Sequence, residues 1–383
     1  MYVNRMRMLN VKPLHQCIPA DENPLPNPAR RRLLLQGGNG CGMSTILETI
    51  VFLWKSWGEW LEEGNGSHPP AQQFVQYLAK AEIAAIEFRG IPNVESLWIG
   101  IGKRSEWKAL KDRYPSANFA GLVHPPTSEL VWPATGEAIK IPASLTAEQI
   151  RETKNSLENL GADQLNDPRQ WIIELPSGDE LLEMRHRSLA GSESFPNIVY
   201  FPPKGRSIFT PTALRGEIID TTRFNWWAIY DSGVNLDSVL LTVKALWPER
   251  FDECLRLVNT ALGNRQKRII GFGAKGRLVV QGTSITGATY QHPIEGLSSG
   301  EQQMLLLVGF TVAFLRPGGI VLIDEPDLHI HLSMVDQLLE SLERVVDERK
   351  GQLIVASHSA RVWEWFAREE EKIDLSPWRA ENA

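Results

Sequence analysis

The chain has 383 residues, of which 43% are hydrophobic and 22% charged, with a formal net charge of -6. That length holds two or three domains, or one large α/β domain with an insertion. No apolar run approaches the roughly 20 residues that span a bilayer, and the negative balance gives no global attraction to nucleic acid, so any such contact needs a local basic patch. Cys17, Cys41 and Cys254 are scattered, which excludes a disulfide framework and a paired-cysteine zinc site.

Residues 2 to 12 and 31 to 36 alternate or run apolar like strands, and Pro24, Pro26 and Pro28 fall in a polar connection between them. The first strand lacks the apolar h-region of a leader, so a cytoplasmic protein is expected. Arg30, Arg31 and Arg32 precede the second strand and read either as a solvated strand start or as a contact for nucleotide or DNA.

Immediately after Leu33-Leu34-Leu35 comes Gly37-Gly38-Asn39-Gly40-Cys41-Gly42-Met43-Ser44-Thr45. This is the spacing of a phosphate-binding loop, G-x-x-x-x-G-K-[ST], with one position changed. Glycines let backbone N–H groups close around a triphosphate, the helix N-terminus adds its positive end, and the hydroxyl of Ser44 is placed for magnesium. Met43 stands where the lysine belongs. The helix that follows carries Ile46, Leu47, Ile50, Val51 and Trp54 on one face and ends before Gly64.

From about Lys80 to Tyr200 the pattern is mostly β, with strands at Ile83 to Phe88 and Leu97 to Ile101, a turn near Pro133, and a hairpin after Trp171 to Leu175. A capping box at Thr146 to Gln149 opens a helix that closes at Gly161. An inserted, antiparallel lobe is expected here. The strand Ile198 to Phe201 leads into Lys204 and Arg206, two cations that read either as a solvated loop or as reaching a nucleotide. Phe224 to Tyr230 is the densest aromatic cluster, suited to core packing or a partner interface, with stacking on single-stranded bases as the third reading. Leu236 to Leu262 is helical with a break near Pro248, and Arg268 to Phe272 with Leu278 to Val280 forms a hairpin.

The C-terminal third carries a second constellation. Leu297-Ser298-Ser299-Gly300-Glu301-Gln302-Gln303 opens a helix, and its N-terminal amides and the Ser298 hydroxyl read either as an ordinary cap or as a second anion site. Ile320 to Ile323 is a continuous apolar run typical of a buried parallel strand, ending in Asp324-Glu325-Pro326. Of two carboxylates there, the first can hold magnesium through water and the second can orient and deprotonate an attacking water. Ser333 is expected to cap a helix that presents Leu338, Leu339 and Leu342 to the core and ends at Gly351. Leu353 to Ala356 is the next strand, and His358, in Ser357-His358-Ser359 at its end, reads either as a structural histidine or as one placed to sense a γ-phosphate.

These residues, in this order, resemble the ABC-type ATPase heads of the SMC and RecF class, most closely the ATPase half of overcoming-lysogenization-defect nucleases and related phage-defence ATPases. The resemblance covers both ends of the chain and little of residues 65 to 290. It implies an α/β head with a parallel core sheet, an antiparallel β subdomain and a helical insertion. It further implies that Gly37, Gly38, Asn39, Gly40, Cys41, Gly42, Met43, Ser44 and Thr45 bind ATP, that Ser44 and Asp324 serve Mg2+, that Glu325 is the catalytic base and that His358 is the switch histidine. Ser298 and Gly300 would contact the γ-phosphate held by a second subunit, in a head-to-head homodimer. The family's acidic D-loop position falls on His331, and its Q-loop glutamine has no evident counterpart.

The head is expected to span 1–383, with an N-terminal lobe over 1–62, a mostly β lobe over 63–210 and a C-terminal lobe over 211–383. No long heptad, C-x-x-C hook, membrane segment or nuclease cluster accompanies it, so a separate effector, a nuclease or a toxin, is expected, in bacterial anti-phage defence. Nucleic acid as a further partner stays open. Glu325, Ser298 and His358 would have little purpose in a protein that never hydrolysed ATP, so Met43 reads as a deliberate replacement of lysine that impairs turnover. An ATP-gated DNA clamp like RecF and a non-hydrolysing scaffold are the alternatives.

Overall fold

The computed structural model describes residues 1–11, 14, 31–63, 81–123, 172–174, 195–204, 206, 226–230, 236–263, 266–366 and 371–376. The chain divides into two compact units. One comprises residues 1–2, 25–51 and 190–379, the other residues 3–24, 52–189 and 380–383.

The first unit is built on a six-stranded sheet. Its strands are β2 (Arg32–Gln36), β7 (Ile198–Phe201), β8 (Trp227–Ile229), β12 (Ile320–Asp324), β13 (Gln352–Ala356) and β14 (Lys372–Asp374), in the order β14-β2-β13-β12-β7-β8. Every pairing in it is parallel. The expected strands at 31–36, 198–201, 320–323 and 353–356 are all present, and their apolar runs are buried because helices cover a parallel sheet on its faces. The edge strand β14 was not expected. It comes from the tail beyond Trp365 and is only three residues long.

Around the sheet lie α1 (Met43–Glu63), α3 (Leu236–Leu246), α4 (Pro248–Gly263), α5 (Ser299–Phe314), α6 (Leu332–Glu348) and α7 (Ala360–Trp365). The break at Pro248 separates α3 from α4 as its missing N–H requires. Helix α5 is buried on all sides from Met304 to Phe314, as its uniformly apolar sequence dictates. A separate antiparallel sheet joins β9 (Lys267–Phe272), β10 (Leu278–Thr283) and β11 (Thr289–Pro293), extending the expected hairpin by one strand.

One expectation is corrected in this unit. Ser333 does not cap α6. The N-cap is His331, whose Nδ1 accepts from the Ser333 amide at 3.3 Å, and the helix starts one residue earlier, at Leu332. Of the readings of the aromatic cluster, core packing holds for one face of β8, while Trp227 and Ile229 are half-buried on the other. Trp226 and Tyr230 are buried, Trp226 against Phe195 at 4.7 Å and Tyr230 edge-on to Phe310 at 5.4 Å between ring centroids. Phe224 and Asn225 lie outside the described residues.

The second unit has a five-stranded sheet in the order β1-β3-β4-β5-β6, formed by β1 (Tyr2–Leu9), β3 (Ile83–Ile91), β4 (Val94–Gly102), β5 (Asn118–Val123) and β6 (Ile172–Glu174). Among the described residues this sheet is not wholly antiparallel, because β4 and β5 run parallel. Parallel neighbours need a crossover, and α2 (Arg104–Arg113) provides it, burying Trp107 and Leu110. A side chain at Gly121 would put its Cβ 2.7 Å from the Trp107 ring and 2.1 Å from the Gly100 carbonyl, so glycine is what lets this helix sit against the sheet. The turn near Pro133, the helix opening at Thr146 and the end of the hairpin after Trp171 lie outside the described residues.

Candidate functional site

Strand register brings the site together. Asp324 at the end of β12 pairs with Ala356 at the end of β13, Ala356 pairs with Leu35 of β2, and Ile323 pairs with Phe201 of β7. The carboxyl ends of four parallel strands therefore deliver Gly37, Asp324, Glu325, His358 and the segment after Phe201 to one edge of the sheet, where open α/β sheets bind ligands.

Gly38 to Gly40 are exposed at the tip of the phosphate loop and the amide of Cys41 donates to the Gly38 carbonyl at 3.1 Å. Gly40 and Gly42 have φ of 76° and 98°, which only glycine adopts readily, and the turn they make aims the N-terminus of α1 outward. Amides of a first helical turn have no intrahelical acceptor and stay available to an anion. Ser44 is exposed on that turn, whereas Thr45 and Met43 are buried. The Met43 side chain thus adds apolar packing and no charge to the loop.

Ser44 hydrogen bonds to Asp324, which is only 1% exposed. Burial raises the Asp324 pKa, partly offset by the Ser44 hydrogen bond and the nearby Arg206 and His358. Its Oδ2 is buried and has no hydrogen-bond partner among the described residues. A hydroxyl bonded to a carboxylate that keeps one unpaired oxygen fits a hydrated Mg2+, which takes one or two protein oxygens and fills the rest of its shell with water and phosphate. Among the described residues there is no group of three or more His, Cys, Asp and Glu that could hold a metal by itself.

Glu325 lies just beyond the strand with φ of 54°. A left-handed residue with a side chain costs roughly 1–2 kcal/mol and persists only where its surroundings hold it. Its amide donates to the Ala356 carbonyl at 2.8 Å, and its carbonyl accepts from Leu328 N at 3.1 Å and from Arg206 Nη2 at 2.9 Å. This backbone turns the carboxylate toward His358, with Glu325 Oε1 3.5 Å from Nε2. Burial raises the Glu325 pKa, His358 offsets it, and Asp327 and Asp324 add to it. A raised carboxylate pKa makes a better general base.

The basic residues behave unequally. Lys204 is exposed, but Arg206 is 4% exposed, which corrects the solvated-loop reading for that residue. Its guanidinium lies under the Asp324-Glu325 turn and also donates to the Asp324 carbonyl, and burial lowers its pKa to about 10 despite the carboxylates nearby. Arg31 pairs with Asp347 at 3.5 Å, and Arg32 with Glu343 at 2.7 Å and Glu371 at 3.1 Å, so both cations are committed to carboxylates. Arg30 is outside the described residues.

Sequence reasoning named Arg206 only as a loop cation and missed Glu48 and Gln303. Glu48 is one helical turn after Ser44, half-buried, and its pKa is raised by burial and by Asp324, with Lys204 opposing. Gln303 is buried on α5 and its side-chain amide donates to the Arg206 carbonyl. The spacing of Ser44 and Glu48 by four residues was the only available signal that both share a helix face.

The Ser298 end of α5 is a capping box, in which the Ser298 amide and hydroxyl each donate to Glu301 Oε2 at 2.8 Å and Lys267 Nζ pairs with the same oxygen at 2.8 Å. Ser298 and Ser299 are exposed and Gly300 is buried. A Cβ at Gly300 would lie 3.2 Å from Met334 Sδ and 3.6 Å from the His329 carbonyl, so this helix end and the residues before α6 are immediate neighbours.

Residues 248–362 match the family described as "AAA domain, putative AbiEii toxin, Type IV TA system". That stretch contains Ser298, Gly300, Asp324, Glu325 and His358, whereas the phosphate loop precedes it. No curated protein sequence matches the chain. Among solved structures, the chain is similar to an SMC head bound to the C-terminal winged-helix domain of ScpA, at 12% identity, with 95% of this chain and 91% of that chain covered and a TM-score of 0.43. It is also similar to the SMC head domain from Thermotoga maritima, at 13% identity, with 95% and 92% covered and a TM-score of 0.42. Among the described residues no helix is long and apolar enough to cross a membrane.

Proposed function

We propose that the protein is a cytoplasmic ATPase head that binds ATP and Mg2+ at Gly37 to Thr45 and Asp324, closes as a head-to-head homodimer and thereby controls a separate effector. The observation that carries this is the buried, unpaired Oδ2 of Asp324 beside the Ser44 hydroxyl, with Glu325 and His358 one residue and one strand away. The amides of the loop and of the first turn of α1 bind the triphosphate, and Ser44 and Asp324 hold the cation. Bound magnesium supplies neutralisation of charge on the β- and γ-phosphates. Glu325 accepts the proton of the attacking water, and His358 reports the state of the γ-phosphate. Ser298 and Gly300, at an exposed helix N-terminus, complete the site of the opposite subunit.

Met43 is the exception to this set. The lysine of such a loop places a point charge on the β/γ-phosphates, and a buried thioether cannot. We read Met43 as a replacement that impairs turnover, since the remaining machinery is retained. The matched family is described as a putative AbiEii toxin of a type IV TA system, and the separate effector and the anti-phage setting rest on the resemblance of the motifs. An ATP-gated DNA clamp is the alternative, although Arg32 is paired with Glu343 and Glu371.

The test is Met43→Lys. The variant is expected to hydrolyse ATP with Mg2+. Absence of phosphate release, alone and with the neighbouring gene products, would leave a non-hydrolysing scaffold as the better reading.

A further inference from the structure

Glu325 can serve as a base only while its backbone stays in a conformation that side chains avoid, and the structure shows what holds it. The guanidinium of Arg206 reaches from the segment after β7 and places Nη2 on two consecutive carbonyls, those of Asp324 and Glu325, the latter at 2.9 Å. Both carbonyls belong to the turn that aims the carboxylate. Nε and Nη1 of Arg206 are buried and without a partner among the described residues, so the side chain has been taken from water at a cost that the two carbonyl bonds alone do not offset. Such an arrangement is expected where a residue serves a site and not stability.

The Arg206 main chain is fixed in turn. Its carbonyl accepts from the Gln303 side-chain amide, and Gln303 sits on α5 one turn inside the Ser298 helix start. A connected path therefore runs from that helix through Gln303 and Arg206 to the backbone of Glu325.

We propose that Arg206 is the positioning residue for Glu325, clamping its left-handed backbone so that the carboxylate faces the reacting water. This rests on the reading of Glu325 as the base. Both bonds come from one nitrogen, Nη2, at the far end of the arginine side chain, and an ammonium on the shorter lysine stem reproduces that reach only in part. Among the described residues Arg206 donates to protein carbonyls alone, so its loss is expected to act on kcat and to leave KM for ATP in place.

The experiment uses the full chain in two arms. In the first, hydrogen exchange is followed in the chain as it stands and with Arg206→Gln and Arg206→Lys. Amides of Glu325 and Leu328 are expected to exchange at least about tenfold faster in Arg206→Gln, with those of β12 and β13 unchanged, the size of a lost charge-assisted hydrogen bond. Unaltered exchange at both amides overturns the clamp. In the second, the same substitutions are placed on Met43→Lys. Arg206→Gln is expected to lower kcat by roughly tenfold to a hundredfold at constant KM, with partial rescue by Arg206→Lys. A rise in KM matching the loss, or an unchanged kcat, overturns the positioning role. If Arg206→Gln does not fold, Arg206→Lys carries both arms. Should the Met43→Lys parent release no phosphate, it is the ATPase reading that fails, and the exchange arm decides whether Arg206 holds this turn.

Discussion

The imidazole of His358 is tied to the phosphate loop by one nitrogen, Nδ1 lying 2.9 Å from the carbonyl oxygen of Gly37. A carbonyl only accepts, so Nδ1 carries the hydrogen and Nε2 is the nitrogen turned to Glu325, 3.5 Å away. The tautomer is thereby set by a backbone group of the loop, and a change in loop position is transmitted to the ring. In a Met43→Lys chain, His358→Ala is expected to reduce phosphate release by about 10²-fold while ATP binding changes little. A parallel loss of binding, measured by equilibrium titration, would make the histidine a ligand anchor and not a sensor.

The exposed Ser298 side chain can be replaced without touching a core. Ser298→Arg is expected to cost about 1 kcal/mol through the lost cap and to leave ATP binding within one subunit intact. It should nevertheless block ATP-driven closure, because a bulky chain would occupy the place where the other subunit's phosphate docks in the proposed dimer. Light scattering with ATP and Mg2+, again in Met43→Lys, reads this directly. A dimer that still forms on addition of ATP would rule out the composite site.

Glu48 illustrates what the site costs the fold. Its pKa is raised by burial and by Asp324. A carboxyl whose folded pKa exceeds its unfolded value contributes full stability below the unfolded pKa, about 4.3 for glutamate, and loses it as pH rises through the folded value. Glu48→Gln is therefore expected to raise the apparent melting temperature by roughly 2 °C at pH 7, with the gain shrinking as the pH is lowered toward 4. A gain that is constant across that range would assign the effect to packing.

The parallel sheet was legible because its strands are continuous apolar runs, and the phosphate loop, Asp324-Glu325 and His358 because each sits directly after such a run. Register was not legible, yet it is register that puts Ile323 beside Phe201 and so brings Arg206 under the Asp324-Glu325 turn. A buried arginine and a solvated one look alike in a sequence. The aromatic run at Trp226 to Tyr230 was open between core and interface for the same reason, since only the parallel pairing of β8 with β7 assigns its sides. Helix α2 and strand β5 escaped notice because the helix is mostly charged, with only Trp107 and Leu110 turned inward. The His331 cap was missed because histidine is not among the usual capping residues.

Glu325 is proposed as the base for hydrolysis of ATP held by the phosphate loop, Ser44 and Asp324. Steady-state phosphate release by Met43→Lys, compared with Met43→Lys carrying Glu325→Gln, tests it most directly. The amide keeps the phosphate loop, Ser44 and Asp324 while removing the base. Turnover is expected to fall roughly 10²- to 10⁴-fold, with ATP still bound and the closed dimer accumulating. Equal turnover in the two proteins would contradict it.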